Sequence, residues 1–309
     1  MKKLMWYTHK CLPRGLQGST LRVHECGGRL YACGGANEDG SPNKGVYYCP
    51  VQNLTRWVKA TPDAPQYYCA SAVIQGELVL ISGLRSSDGK CTGTLMSYDP
   101  KAQVWVSRYP PIPTPRSSAA AFVYGDYLIV IGGQNSDGDA TNVVEVLHIT
   151  TQTWETATRL PEKLVGQSVA VCGDTAYLVG GSNGSSCVRS LYTALVRKII
   201  SSCHRFALLA NVDRVGNVWK QQGDCPFTMM VAACTGNQLL AFGGEEVTKA
   251  ESHPSEWIWI YDPDQDTWTP VQSMPSERKL CCITLLPDNH LVILGGYPDF
   301  NRIDIAEII

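Results

Sequence analysis

A pair of adjacent glycines at the end of a short apolar run limits the possible folds of this chain more than any other feature. Five runs end in Gly34-Gly35, Gly132-Gly133, Gly180-Gly181, Gly243-Gly244 and Gly295-Gly296, and a sixth, Leu78–Ile81, ends in Ser82-Gly83. The second glycines lie at positions 35, 83, 133, 181, 244 and 296, in steps of 48, 50, 48, 63 and 52 residues. This period predicts a repeat architecture in which each unit buries its apolar faces against its neighbours.

A tryptophan follows each of the first five doublets at a similar distance. These are Trp57, Trp105, Trp154, Trp219 and Trp268, at offsets of 22, 22, 21, 38 and 24 residues. No tryptophan follows the sixth doublet, whereas Trp6 stands without a doublet before it. We therefore predict that Leu4–Tyr7 supplies the outermost strand of the last repeat. This pairing would close a ring, and an open ring would leave an unpaired strand edge.

The third repeat shows most clearly how one unit is built. Its apolar or alternating segments are Ala119–Val123, Tyr127–Ile131, Val143–Ile149 and Thr153–Glu155, with a turn at Gly125-Asp126. Strands of this length, separated by turn residues at regular spacing, are typical of an all-β repeat protein. We therefore predict four antiparallel strands per repeat.

Several residues at fixed positions in the repeats resemble the kelch family. They are the glycine doublets, Tyr98-Asp99 before Trp105, Tyr261-Asp262 before Trp268, and Pro115-Arg116. Kelch repeats have a period of about 50 residues, and the resemblance covers essentially the whole chain. It implies an all-β fold: a six-bladed kelch-type β-propeller, closed by the N-terminal strand joining the C-terminal blade.

On this basis we expect a single domain over residues 1–309. The blades are predicted at roughly 19–58, 69–107, 118–156, 167–221, 230–270 and 281–309, the last together with 4–7. The fourth blade has about 16 extra residues, which fall around 197–217 between its third and fourth strands, as either a partner-binding arm or an inert insertion. An enlarged loop is predicted at 245–256, and Trp257, Trp259 and Tyr261 are predicted to pack between blades.

Composition narrows the classes of function. The formal net charge is -2, so nucleic acid is not expected as a partner. No window reaches about 18 uninterrupted apolar residues, so a membrane is not expected either. The N-terminus lacks the apolar run of a secretory signal. Most of the thirteen cysteines lie in apolar strand-like runs, which favours free thiols in a reducing cytoplasm and no disulfide framework.

Function is expected in the loops, because the repeat residues account for the scaffold. By resemblance, kelch domains that act as substrate receptors of ubiquitin ligases bind peptides on one face, where the blade-to-blade loops meet the loops after the glycine doublets. In this chain the blade-to-blade loops offer Tyr68, Arg116, Ser117, Lys163, Arg278 and Lys279, and the loops after the doublets offer Arg85, Gln134, Asn135, Asn183 and Tyr297. The resemblance therefore implies a protein or peptide partner, with ubiquitin-ligase machinery reached through another chain.

The charges of these loops leave two interpretations open. The blade-to-blade segments hold ten basic and four acidic residues, a net charge of +6. They form either a basic inner ring that favours a ligand with a negative centre, or ordinary solvated loop charges. Arginine does not recur in every blade, since Phe227-Thr228-Met229 occupies the equivalent place in the fifth.

Enzymatic alternatives find little support in the motifs. The chain has no Cys-x-x-Cys pair and no Gly-x-x-x-x-Gly-Lys, so we predict no metal, no cofactor and no catalytic residue. The remaining alternative is a sugar-processing isomerase or mutarotase with an Arg, Glu and His set on the channel face. A binding module is the preferred prediction.

Overall fold

A computed structural model of the chain describes residues 4–10, 12–13, 21–37, 39, 41–203, 218–247 and 252–308. The strands are β1 (Leu4–Lys10), β2 (Arg22–Cys26), β3 (Arg29–Cys33), β4 (Val46–Pro50), β5 (Val58–Ala60), β6 (Gln66–Tyr67), β7 (Ala70–Ile74), β8 (Glu77–Ile81), β9 (Leu84–Arg85), β10 (Leu95–Asp99), β11 (Val104–Tyr109), β12 (Ala120–Tyr124), β13 (Tyr127–Ile131) and β14 (Val144–His148). They continue with β15 (Thr153–Thr156), β16 (Ser168–Cys172), β17 (Thr175–Val179), β18 (Leu191–Leu195), β19 (Lys220–Gln221), β20 (Val231–Thr235), β21 (Gln238–Phe242), β22 (Glu245–Val247), β23 (Ser252–Asp262), β24 (Thr267–Arg278), β25 (Cys282–Leu285), β26 (His290–Leu294) and β27 (Arg302–Ile308). One helix, α1 (Val196–Ser201), follows β18.

Six antiparallel sheets form the blades of a propeller. From the innermost strand outwards they are β2-β3-β4-β5 (blade 1), β7-β8-β10-β11 (blade 2), β12-β13-β14-β15 (blade 3), β16-β17-β18-β19 (blade 4), β20-β21-β23-β24 (blade 5, where β22 also pairs with β23) and β25-β26-β27-β1 (blade 6). The innermost strands touch one another in the cyclic order β2, β7, β12, β16, β20, β25 and back to β2. The predicted all-β, six-bladed propeller is confirmed.

The N-terminal strand closes the ring, as the position of Trp6 predicted. β1 pairs with β27 over its whole length, with Trp6 opposite Ala306 and Lys10 opposite Arg302. The Gln272 side-chain amide on blade 5 also binds both backbone groups of Leu4, accepting from its N–H at 3.2 Å and donating to its carbonyl at 2.9 Å. Blade 6 therefore has its fourth strand, and that strand is also held by the neighbouring blade.

The tryptophans of the repeat lie between blades. In the described part of the chain, six apolar clusters each join two neighbouring blades, and each contains one of Trp6, Trp57, Trp105, Trp154, Trp219 and Trp268. Three indole N–H groups donate to a carbonyl in the loop that leaves the preceding blade: Trp105 to Pro62, Trp154 to Pro110 and Trp219 to Thr158. Their predicted role in packing between blades is confirmed.

Blade 5 differs from its neighbours. Its third strand, β23, has 11 residues, whereas β4, β10, β14 and β18 have five. Trp259 and Tyr261 pack against blade 4 as predicted, but Trp257 is 43% exposed, because the N-terminal half of β23 extends beyond the shorter strands of its neighbour. The enlarged loop predicted at 245–256 is partly strand, since β22 pairs with the start of β23, and residues 248–251 lie outside the described chain.

The extra residues of blade 4 follow its third strand, as predicted, and begin with α1. Val196 and Ile199 of this helix are buried in the cluster between blades 3 and 4. Most of the predicted insertion, residues 204–217, lies outside the described chain. None of the helices in the described ranges is long and apolar enough to cross a membrane.

The expectation of no disulfide is wrong for one pair of cysteines. Cys172 and Cys234 are bonded, with their Cα atoms 5.5 Å apart, and join β16 to β20. Both residues lie near the ends of innermost strands that are adjacent in space but 62 residues apart in sequence. The sequence does not show this proximity, because it depends on how blade 4 stacks on blade 5.

Candidate protein-binding face

The two predicted sets of loops meet on one face and are joined by backbone hydrogen bonds. Ser117 and Gln134 exchange N–H···O bonds of 2.9 and 2.8 Å, Val165 and Ser182 exchange bonds of 2.8 and 2.9 Å, and Lys279 and Tyr297 exchange bonds of 3.2 and 2.9 Å. Thr228 pairs with Glu245, and Tyr67 with Leu84, in the same way. Each of these pairs joins a residue in the loop that enters a blade to the residue just after that blade's glycine doublet.

This pairing explains the second glycine of the doublet. Gly133 has a φ of +102°, and a Cβ at this position would lie 2.7 Å from the carbonyl oxygen of Ser117. A side chain is thus excluded both by the backbone conformation and by the close approach of the entering loop. The repeat signature therefore holds the two sets of loops together.

A central cavity of about 250 Å³ opens between the innermost strands of all six blades. Within it the His24 Nε2 and Ser71 Oγ atoms are 2.8 Å apart. Burial, and to a smaller extent the charge of Arg22, lowers the pKa of His24 from 6.5 to about 4. The imidazole is therefore neutral at pH 7. Of the described residues that line the cavity, none is a glutamate, so the set required by the isomerase alternative is not assembled there.

A pH dependence of stability follows from His24. Its pKa in the unfolded chain is about 6.5, so the unfolded state takes up a proton first as the pH falls. We expect the urea midpoint to fall between about pH 6.5 and pH 4, and this dependence to be weaker in His24→Gln. The control is His253→Gln, since His253 is exposed. Equal pH profiles for wild type and His24→Gln would contradict the assignment.

Two of the three arginines predicted to contact a partner are buried inside the propeller. Arg116 is 0% exposed and forms an ion pair with Glu145 of β14. Its guanidinium also donates to the carbonyls of Thr114 (2.8 Å) and Val130 (3.2 Å). Burial lowers the pKa of Arg116, an effect that the charge of Glu145 opposes.

Arg278 occupies the equivalent place before blade 6. It is 2% exposed, forms an ion pair with Asp304 of β27, and donates to the carbonyl of Gly295 at 3.2 Å. Both arginines also link two blades, because their backbone carbonyls accept from Gly83 of blade 2 and Gly244 of blade 5. The prediction that Arg116 and Arg278 contact a partner is therefore corrected. Both arginines have an internal role, because neither side chain reaches the surface.

Ion pairs at the surface are further evidence against the hypothesis of a basic inner ring. Lys279 forms an ion pair with Glu245, and its Nζ lies 5.5 Å from the ring centroid of Tyr297. Lys59 pairs with Asp63 at 2.8 Å and Lys10 with Asp299 at 3.1 Å. Of the two interpretations of the loop charges, the structure favours the one without a basic site.

The other predicted residues lie on the face but differ in exposure. Ser117 is buried, Tyr68, Gln134, Asn135, Asn183 and Lys279 are half-buried, and Arg85, Lys163 and Tyr297 are exposed. The two asparagines order their own loops: Asn135 Oδ1 accepts from the N–H groups of Asp137 and Asp139, and Asn183 Oδ1 from those of Ser185 and Ser186. Arg85 forms a surface ion pair with Asp88 at 3.6 Å.

Five residues form a set around the channel mouth, and sequence reasoning predicted only Tyr68 among them as a site residue. They have positive φ and precede the innermost strands by two residues: Tyr68, Ser118, Gly166, Met229 and Leu280. Gly166, Met229 and Leu280 line the cavity, and backbone bonds link Ser118 to Tyr68 (2.7 Å) and Gly166 to Ser118 (2.9 Å). Their constant offset from the next apolar strand was visible in the sequence, but their residue types are too varied to form a motif.

The blades, the glycine doublets and the joined loops define a kelch-type propeller with one ordered loop face. The family model for the KLHDC2/KLHL20/DRC7 Kelch-repeats domain matches residues 1–181, and a Kelch motif matches residues 226–275. The chain belongs to the kelch-repeat family.

Two relatives of the chain are kelch-like proteins. Kelch-like protein 15 of Mus musculus is 25% identical over 252 residues, which cover 78% of this chain and 40% of that protein. Kelch-like protein 33 of Homo sapiens is 34% identical over 90 residues, 29% of this chain and 16% of that protein. The chain thus spans about two fifths of the length of Kelch-like protein 15. A solved structure titled "Structure of YjhT" has the same fold, with a TM-score of 0.72, 16% identity and coverage of 96% of this chain and 95% of that one.

Proposed function

We propose that this propeller is a protein-binding module that holds an extended segment of a partner across the loop face. The observation that carries the proposal is the joining of the two sets of loops by backbone hydrogen bonds in blade after blade around the central cavity. A surface ordered in this way loses little conformational entropy on binding. Membership of the kelch-repeat family and the kelch-like relatives support the same class of function.

The contact residues that we propose are the exposed or half-buried members of the predicted set. They are Tyr68, Arg85, Gln134, Asn135, Lys163, Asn183, Lys279 and Tyr297. Tyr297 is the strongest candidate for an anchor, because it is 47% exposed and carries aromatic area at the rim. Recognition of a substrate for ubiquitin-ligase machinery on another chain is a finer form of this proposal, and it rests on the resemblance of the repeats to kelch domains that act as substrate receptors.

A cytoplasmic setting belongs to the same proposal. Cys33 and Cys281 are not in a disulfide, and burial raises the pKa of both thiols to about 12, which suits inert thiols in a reducing compartment. The Cys172–Cys234 bond points the other way. Thiol labelling of freshly lysed cells separates the two cases.

Crosslinking followed by mass spectrometry tests the proposal. We expect partners crosslinked to the wild-type protein to be recovered at least about tenfold less with Arg85→Ala/Tyr297→Ala, a loss of about 1.4 kcal/mol in binding. The matched control is Val104→Ala, because Val104 is 43% exposed on the outermost strand of blade 2, away from the loop face. Equal recovery with both variants, or crosslinks confined to other surfaces, would contradict the proposal.

A further inference from the structure

We propose that the bound segment inserts one large, uncharged apolar side chain into the central cavity, past Met229 and Leu280 at its mouth. This inference rests on the proposed function and adds the chemistry that the site selects. An apolar site of this kind differs from a site for acidic peptides, which would require a ring of exposed arginines.

The wall of the cavity is suited to an apolar group. Apolar residues contribute much of its lining, among them Val169, Met230, Val231 and Ile283 from three blades, together with Met229 and Leu280 at the mouth. Pockets of this kind bind apolar groups and use a few polar groups to set orientation. Ser71, hydrogen-bonded to the neutral His24, supplies such a polar group.

The charges around the cavity oppose a charged group inside it. Among the described residues that line it there is no carboxylate, and the one formal cation, Arg22, is already engaged in an interaction within the chain. Arg116 is paired with Glu145 and Arg278 with Asp304, so neither arginine is available to pair with an incoming carboxylate. An ammonium group entering here would lose its water without gaining an ionic partner, and a carboxylate would have only Arg22 to offset the same loss.

The size of the cavity sets the size of the group. A cavity of about 150 Å³ lined by aliphatic residues accommodates a benzene ring. The volume of about 250 Å³ in this propeller therefore holds one aromatic or branched aliphatic side chain with its first backbone atoms. A single buried anchor surrounded by a polar rim is also the usual anatomy of a binding hot spot.

Selection from a phage-displayed library of random peptides on the wild-type propeller tests the inference. We expect enriched peptides to share a Leu, Met, Phe or Trp at one position with no Asp, Glu, Lys or Arg there. Synthetic peptides from the enriched set should bind Met229→Glu at least about tenfold more weakly and Val104→Glu as well as wild type. Thermal unfolding of each variant shows whether it is folded.

The possible outcomes separate the two proposals. Enriched peptides with a conserved acidic or basic position, or unchanged affinity in a folded Met229→Glu, would overturn the apolar anchor and leave a peptide-binding face in place. If Met229→Glu does not fold, Ala121→Leu, which adds volume at a cavity-lining residue of β12, replaces it with the same expected loss. The absence of any enriched peptide would count against the proposed function and the anchor together.

Discussion

Glu145→Ala is expected to destabilise the protein by about 3–5 kcal/mol, because it leaves the guanidinium of Arg116 buried without its counter-ion. The side chains of both residues are almost fully buried, and the two remaining hydrogen bonds of Arg116 go to neutral carbonyls. Arginine does not lose its proton to escape this cost. Urea titration at pH 7 measures the change as a shift of the unfolding midpoint.

The propeller contains a second copy of this arrangement for comparison. Asp304→Ala in blade 6 should have an effect of similar size, since Asp304 is the buried partner of Arg278. The double variant Arg116→Met/Glu145→Leu should be more stable than Glu145→Ala, because it removes the buried charge together with its partner. Glu256→Ala serves as the control at an exposed carboxylate. A loss below about 1 kcal/mol in Glu145→Ala would mean that Arg116 reaches water and could contact a partner after all.

Trp219→Ala is expected to cost about 3–5 kcal/mol through the cavity that it leaves between blades 3 and 4. Trp219 is 2% exposed, belongs to the apolar cluster that joins these two blades, and donates its indole N–H to the carbonyl of Thr158 at 3.3 Å. Removing the ring therefore loses packing and also leaves a carbonyl without this donor. Calorimetry or denaturant titration measures the effect.

The expected loss of stability in Trp219→Ala can be compared with the losses at two other tryptophans. Trp105 has the same place in blade 2 but is only half-buried, so Trp105→Ala should cost less than Trp219→Ala. Trp257→Ala should change stability by less than about 1 kcal/mol, because Trp257 extends beyond the neighbouring blade. Equal losses at all three positions would show that burial between blades does not determine the contribution of each ring.

The two buried ion pairs also bear on function. One links blades 2 and 3 and the other links blades 5 and 6, so they lie on opposite sides of a six-membered ring. Arg116 lies in the loop before blade 3 and Arg278 is the last residue of β24 before blade 6, and each is held by a backbone hydrogen bond to the preceding blade. Their contribution to binding is therefore indirect, since they keep the loops that carry the exposed residues in place.

The repeat pattern alone was sufficient to predict the fold. The glycine doublets give the number of blades, and Trp6 without a partner gives the closing strand, because both features depend on local backbone geometry and on which segments are apolar. Packing of the repeat tryptophans between blades follows from the same pattern. These properties repeat in every unit, so a single sequence contains several independent observations of each.

Only the tertiary structure decided which charged and apolar side chains are exposed on the face. In the sequence Arg116 stands between proline and serine, Arg278 stands between glutamate and lysine, and both look available, yet each pairs with an acid on the third strand of the next blade. Trp257 alternates with two buried aromatics but extends beyond its neighbour, and Cys172 meets Cys234 only because two blades stack. Exposure and pairing of this kind depend on distances between units, and no local sequence pattern contains those distances.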